Sequence, residues 1–153
     1  MRTILIIASI VLAFFLGQVF AAPTAKYLID ATPGEDVLIS LDDWFAKNPI
    51  KEGAMSRSDN VFTSPRSALF VGRSKDTKGI GRHMHVTVDE LVFIYKGEGE
   101  MYINGKWVPV KAEEPHVCPR CVAHATRAGA EELWVVSIFS PPMPASGDRV
   151  TLE

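Results

Sequence analysis

Two histidines separated by one residue, His83 and His85, constrain the fold of this chain more than any other feature. Glu90 follows closely, and His124 lies further along the chain. On a β-strand, side chains two residues apart point to the same side, whereas a helix would rotate them roughly 200° apart. Imidazole and carboxylate groups together are ligands of Fe, Mn, Zn, Ni and Cu. The pattern therefore predicts a divalent transition-metal site, provided that this segment is extended.

Short runs of β-branched and aromatic residues, separated by Gly, Pro and Asn, predict antiparallel strands from Val61 onward. We expect a hairpin over residues 99–110, because Asn104 and Gly105 suit a type I′ turn. Further strands are predicted at residues 67–73, 83–88, 90–95, 116–118, 122–127 and 133–139. Seven or eight such strands fit a small barrel or a double-sheet jelly roll.

Strand parity gives an expectation for each candidate ligand. Alternation over residues 122–127 places Val122, His124 and Thr126 on the inner face. A turn near Val88 restores the parity that lets Glu90 face the same side as the two histidines. A site of four protein ligands would leave one or two coordination positions open, as a catalytic metal requires.

An arm is predicted before the strand-rich domain. Ser40 is a suitable N-cap for a short helix that Asn48 and Pro49 would end, and Trp44 and Phe45 are expected to dock this helix on the barrel. Residues 51–60 are polar and are predicted to form a loop. The predicted organisation is an arm at residues 22–60, the barrel at 61–140 and a C-terminal tail at 141–153, which either pairs as an edge strand or stays free.

The N-terminus has the pattern of a secretory signal. Arg2 precedes an apolar run, and small residues stand before a predicted cleavage point between Ala21 and Ala22. The run is shorter than the roughly 20 residues that a membrane-spanning helix needs, which disfavours the alternative of a retained anchor. We therefore predict a signal peptide at residues 1–21 and a periplasmic or secreted protein without stable membrane insertion after cleavage.

The length and composition of the chain are those of one globular domain. The chain has 153 residues, 47% of them hydrophobic, which is enough for one core. Its net charge of −2 gives no indication of a nucleic-acid surface, so no nucleic-acid partner is predicted.

The candidate ligands resemble the first signature of the cupin family, G-x5-H-x-H-x3,4-E-x6-G. The match runs from His83 to Gly97, although Thr77 stands where the signature opens with Gly. The second signature, G-x5-P-x-G-x2-H-x3-N, is matched at Pro119 and His124, with Cys121 in place of its Gly and Ala128 in place of its Asn. The resemblance covers approximately residues 68–140.

The resemblance implies an all-β fold, a single antiparallel cupin β-barrel of the jelly-roll type, here with a short N-terminal helical arm. It also implies that the metal ligands are His83, His85, Glu90 and His124. By the same analogy, a homodimer is a possible assembly.

Cys118 and Cys121 leave several interpretations open. In an exported chain they could form a small-ring disulfide, or they could be buried free thiols. A thiol oxidoreductase is less favoured, because that motif normally opens a helix and this segment reads as strand and turn. A second metal cluster that combines both cysteines with His116 and His124 is a further alternative.

The function predicted from these patterns is an exported metal-dependent enzyme, of the dioxygenase, isomerase or lyase type, that acts on a small organic molecule. The alternative is a non-catalytic cupin module that binds a small ligand or a metal, since fold and ligand set are common to both. The metal, the substrate and the reaction stay open. Side chains that could hold a carboxylate or phenolic substrate at the barrel mouth are Arg73, Arg82, Tyr95 and Tyr102.

Overall fold

The structure is a computed structural model that describes residues 38–152 and the short strand Lys26–Tyr27. Within these residues the chain forms one helix, α1 (Leu41–Lys47), and eleven strands. The strands are β1 (Lys26–Tyr27), β2 (Ser56–Thr63), β3 (Ala68–Ser74), β4 (His83–His85), β5 (Asp89–Lys96), β6 (Glu98–Ile103), β7 (Lys106–Lys111), β8 (Pro115–Cys118), β9 (Ala125–Ala128), β10 (Leu133–Ser140) and β11 (Arg149–Thr151). The signal segment predicted at residues 1–21 lies outside the described part. None of the described helical structure has the length and hydropathy that crossing a bilayer requires.

Two antiparallel layers form the body of the protein. The first is a six-stranded sheet in the order β1-β2-β3-β10-β5-β8. The second consists of the pair β11-β4 and the three strands β7-β6-β9. These two groups are joined where His83 and His124 pair, with backbone N–H to O distances of 3.0 and 2.8 Å. The predicted all-β fold with one short N-terminal helix is confirmed for the described residues.

The helix follows its predicted signals. Ser40 is extended and its hydroxyl accepts a hydrogen bond from the amide of Asp43 at 3.3 Å, so it caps α1 as expected. At the other end, the Asn48 side chain donates to the carbonyl of Trp44 at 2.8 Å. The helix docks through Phe45, whose ring is buried and stacks on that of Trp134 with centroids 4.2 Å apart. The predicted docking role of Phe45 is confirmed.

The loop prediction for residues 51–60 is wrong in its second half. Ser56–Thr63 is a strand that pairs with β3 along most of its length. Its early residues are polar because the outer side faces solvent, while Val61 is buried. Backbone hydrogen bonding to β3 therefore outweighs the low strand propensity of this polar stretch.

Several element ends also differ from the prediction. The strand predicted over residues 83–88 ends at His85, and the one predicted over 122–127 begins only at Ala125. In the tail, Arg149–Thr151 pairs with β4, so the edge-strand alternative is confirmed. The hairpin turn is present as predicted, since Asn104 and Gly105 both have positive φ, at 48° and 85°.

Most of the buried apolar residues belong to two clusters. The cluster under the hairpin contains Val92, Ile94, Met101, Val110, Cys118, Ala128 and Leu133. The cluster under the helix contains Phe45, Val61 and Val71. Between the two layers a cavity of about 350 Å³ remains, within the roughly 300–1,000 Å³ of small-molecule sites.

Candidate metal centre

β4 presents both of its histidines to the interior. His83 and His85 are each 4% exposed, while the intervening Met84 lies on the other side of the strand and is half-buried. The extended conformation that the His-x-His spacing requires is therefore present. Both imidazoles line the cavity.

Glu90 enters the same space from β5. The chain bends between His85 and Asp89, and this break restores the parity, so Glu90 faces inward as predicted and is 8% exposed. Its Oε2 lies 3.5 Å from His85 Nε2 and 3.2 Å from His124 Nε2.

His124 completes the cluster. It lies along the edge of β4 that does not pair with β11. Its backbone pairs with that of His83, which brings the two rings to a centroid distance of 4.3 Å. One ligand atom from each of four buried residues lies within 4.8 Å of the other three, and such a group could hold a metal ion; the residues are His83, His85, Glu90 and His124. The convergence of the four predicted ligands is confirmed.

Backbone carbonyls fix the tautomers of two imidazoles. His83 Nδ1 lies 3.0 Å from the carbonyl oxygen of Gly81, and His124 Nδ1 lies 3.0 Å from that of Val122. A carbonyl oxygen only accepts, so each Nδ1 donates, and in the neutral ring the lone pair is on Nε2. Metal-binding histidines are commonly held in this way.

The electrostatics also favour a cation. Burial would raise the pKa of the Glu90 carboxyl, but the facing His124, His85 and Ser137 outweigh it and lower the pKa to about 2. Burial lowers the pKa of His83 to about 4. At neutral pH the cluster therefore contains an ionised carboxylate and a neutral His83 imidazole, which are the protonation states that metal binding requires. Burial would lower the pKa of His124, but Glu90 and the Val122 carbonyl outweigh it and raise the pKa, so a metal would displace a proton from that ring.

Two buried nitrogens in the cluster, His85 Nδ1 and His124 Nε2, have no hydrogen-bond partner. His124 Nε2 is fully shielded from solvent, and its contact with Glu90 lacks hydrogen-bond geometry. An unpaired buried polar atom is destabilising, and bonding to a metal would satisfy it. By this criterion, the donor set fits a divalent transition metal.

A carboxylate that the sequence did not point to lies behind His85. Asp148 Oδ2 is 3.6 Å from His85 Nδ1, the side of the ring that faces away from Glu90. Asp148 accepts hydrogen bonds from the Thr87 amide and hydroxyl, at 3.0 and 2.7 Å, and from the Val86 amide at 3.1 Å. Burial would raise the pKa of Asp148, but the contacts from Thr87 outweigh it and lower the pKa. No spacing signal relates this residue, in the predicted tail, to the histidines.

The residues proposed for the barrel mouth divide into two groups. Arg73 lines the cavity, but its guanidinium pairs with Glu132 and donates to the carbonyl of Phe45 at 2.9 Å. The other three do not line the cavity: Tyr95 donates to Asp42, and Arg82 lies over the ring of Tyr102. Their prediction as cavity residues is wrong: Tyr95 and Tyr102 alternate with the buried Ile94 and Met101, and Arg82 precedes β4.

Val122 does not share the inner face with His124 and Thr126. It is 38% exposed, and its amide hydrogen-bonds to the carbonyl of Pro119 at 3.2 Å in a turn. Strand alternation therefore starts only at the bridge of His124 with His83, and the inward placement predicted for Val122 is wrong.

The two cysteines are free and differ in environment. Cys118 is buried, and burial raises the pKa of its thiol to about 12, with a further contribution from Glu90. Cys121 is exposed, and its Sγ lies 3.7 Å from the carbonyl oxygen of Val86. The disulfide interpretation does not hold, and the buried free thiol is confirmed only for Cys118. Among residues 38–152, neither sulfur belongs to a cluster that could hold a metal.

Comparison with known proteins identifies the architecture. The Cupin_2 family model, described as a cupin domain, matches residues 74–139, which is less than half of the chain. No curated protein matches.

Solved structures agree on the fold. An uncharacterised conserved protein of Klebsiella pneumoniae with a double-stranded β-helix domain matches with a TM-score of 0.63 and 19% identity, over 78% of this chain and 99% of that one. A cupin-2 domain protein of Shewanella frigidimarina matches with a TM-score of 0.56 and 18% identity, over 66% and 92%. A cupin 2 conserved barrel protein of Leptotrichia buccalis is 26% identical with a TM-score of 0.54, over 62% of this chain and 45% of that one. The fold is thus the cupin fold, as predicted.

Proposed function

We propose that this chain, which carries a cupin domain, binds one divalent transition metal and acts as a metal-dependent enzyme on a small organic molecule. The proposed ligands are His83, His85, Glu90 and His124. The observation that carries the proposal is their convergence at the wall of a cavity large enough for a small ligand. The described residues provide no other candidate cluster for a metal.

The proposed ligands offer the metal a negative charge and nitrogen lone pairs. Glu90 supplies one negative charge against the metal, and the carbonyls behind His83 and His124 keep their Nε2 atoms available. A bound metal would supply Lewis acidity or, if it is iron or copper, electron transfer. Aromatic and aliphatic walls, among them Phe70, Phe139 and Val92, exclude water from the bound substrate.

The dioxygenase, isomerase and lyase types are all compatible with this arrangement. To discriminate among them, we would determine the metal content of the isolated protein and then measure oxygen uptake with phenols, thiols and sugars. Oxygen consumption that depends on the metal supports a dioxygenase, and conversion without oxygen supports an isomerase or lyase. Retention of a ligand without any product would instead establish a binding module. Export is part of the proposal, and N-terminal sequencing of the mature protein would test for cleavage after Ala21.

Asp148 should tune the affinity of the centre. We expect Asp148→Asn to weaken metal binding about 10- to 100-fold, the usual cost of losing a carboxylate behind a metal-bound imidazole. The amide keeps an oxygen for the Thr87 and Val86 amides, so the loop should persist. Competition titration with a metal-sensitive dye measures the effect, with Asp43→Asn on the exposed face of α1 as the control. Equal affinities for Asp148→Asn and wild type would show that Asp148 is only a loop cap.

Cys121 should be dispensable for metal binding. It has φ of 61°, a left-handed conformation that glycine adopts without strain, and it stands where the cupin signature has Gly. We therefore expect Cys121→Gly to fold and to keep one metal per chain, as measured by elemental analysis. A fall in metal stoichiometry in this variant would revive the alternative cluster of His116, Cys118, Cys121 and His124.

A further inference from the structure

Three arginines line the cavity, and two of them are already neutralised. Arg57 Nε pairs with Asp59 at 2.8 Å, and its Nη2 donates to Asn48 Oδ1 at 2.7 Å. Arg73 pairs with Glu132. These two guanidinium groups therefore stabilise the wall of the cavity on the side of β2 and β3, and their charges are balanced without a ligand.

Arg149 is different. It lies on β11 directly opposite His85 in the strand register, and it lines the same cavity while remaining exposed to solvent. Within residues 38–152 the guanidinium of Arg149 has no carboxylate partner. Its Nη2 donates a hydrogen bond to the carbonyl of Gly81 at 3.3 Å. A guanidinium has five donors, so most of them are available to a ligand.

The rest of the cavity near Arg149 is mostly apolar. The Phe139 ring lies beside His85, the residue opposite Arg149, with ring centroids 5.3 Å apart. Val92, Val135 and Met143 also line the cavity, and its polar lining includes serines and Thr126. A ligand that fills this space would place an apolar body against these side chains. Its polar group would lie between Arg149 and the four proposed ligands.

The balance of charge limits that polar group to one that is negative. The cavity contains one arginine without a carboxylate partner, and a divalent metal on Glu90 and three imidazoles would add to this positive charge. A single planar carboxylate matches one guanidinium, which binds it in a bidentate manner. A phosphate monoester has three strong acceptor oxygens, and most of the side chains around Arg149 and the proposed ligands offer them no hydrogen-bond donor.

We infer that Arg149 binds the carboxylate of the substrate, and that the substrate class is small monocarboxylic acids with an apolar body. The word substrate in this inference rests on the proposed function, but carboxylate binding by Arg149 can be measured without turnover. Strand β11 thus contributes a specificity-determining residue to a site whose other residues come mainly from the earlier strands.

Calorimetric titration of the metal-loaded protein tests this, with benzoate, phenylacetate and hexanoate against their neutral amides. We expect at least one acid to bind, and to bind about 10- to 100-fold more tightly than its amide, as charged hydrogen bonds provide. Arg149→Gln keeps a side chain of similar length and should abolish this preference. Arg66→Gln, at an exposed arginine outside the cavity, should leave it unchanged. Thermal unfolding confirms that both variants are folded.

The outcomes separate the inference from the proposed function. Metal content is measured on the same samples, and the titration is repeated on metal-free protein. If the chain holds no metal but Arg149-dependent carboxylate binding persists, the proposed function fails and the inference stands. If no acid binds, if acids and amides bind equally, or if Arg149→Gln keeps the preference, the inference is overturned.

Discussion

His124→Ala is expected to weaken metal binding by more than 100-fold. The reason is that it removes a proposed ligand, which should cost more than the ~10- to 100-fold loss caused by removing a group behind a ligand. His124 Nε2 is one of the two buried nitrogens of the cluster that lack a hydrogen-bond partner, and it lies 3.2 Å from Glu90 Oε2. The measurement is a competition titration of the purified variant with a metal-sensitive dye.

The chain offers a matched control for this variant. His116 is on β8, is half-buried, and lies outside the four-residue cluster. His116→Ala therefore removes the same group from a neighbouring strand and should bind metal as the wild type does. Similar losses in both variants would mean that His124 has no special role. Circular dichroism of the metal-free variants shows whether an observed loss comes from unfolding.

Phe45→Ala is expected to lower the free energy of unfolding by about 3–5 kcal/mol, the usual cost of truncating a buried aromatic ring. The Phe45 ring is 1% exposed and stacks on Trp134 and Tyr95, with centroids 4.2 and 5.7 Å away. The Arg73 guanidinium also lies 5.8 Å from the centre of the ring. Phe45 is therefore the buried residue that anchors α1 on the large sheet.

Urea denaturation followed by tryptophan fluorescence measures this effect. Leu38→Ala is the control, because Leu38 is 96% exposed and its truncation should change stability by less than about 0.5 kcal/mol. Phe45 does not line the cavity, so the metal affinity of the folded variant should be unchanged. A loss below 1 kcal/mol for Phe45→Ala would mean that the helix contributes little to the stability of the barrel.

Local patterns predicted the parts of this fold that depend on local physics. The helix cap at Ser40 and the turn at Asn104 and Gly105 each follow from the conformational preferences of one or two residues. The shared direction of His83 and His85 was also predictable, because side chains two residues apart on a strand point to the same side. The relation of these residues to His124 came from the resemblance to the cupin signatures, since no local rule connects residues on separate strands.

Features that depend on tertiary pairing were missed. β2 reads as a polar loop until β3 is present to pair with it. Asp148 gains its place behind His85 only because β11 pairs with β4.

Cys121 departs from the glycine of the second signature, yet it keeps the left-handed conformation that the glycine would adopt, with φ of 61°. The tertiary structure therefore imposes this conformation on a residue that does not favour it.

Anomalous diffraction from crystals of the metal-loaded protein tests most directly whether one metal is bound by these four side chains. With data collected on both sides of the absorption edge of the metal, we expect a single strong peak at bonding distance, about 2.0–2.2 Å, from His83, His85, Glu90 and His124. A peak coordinated by other residues, or no peak in protein that was saturated with metal, would contradict the account.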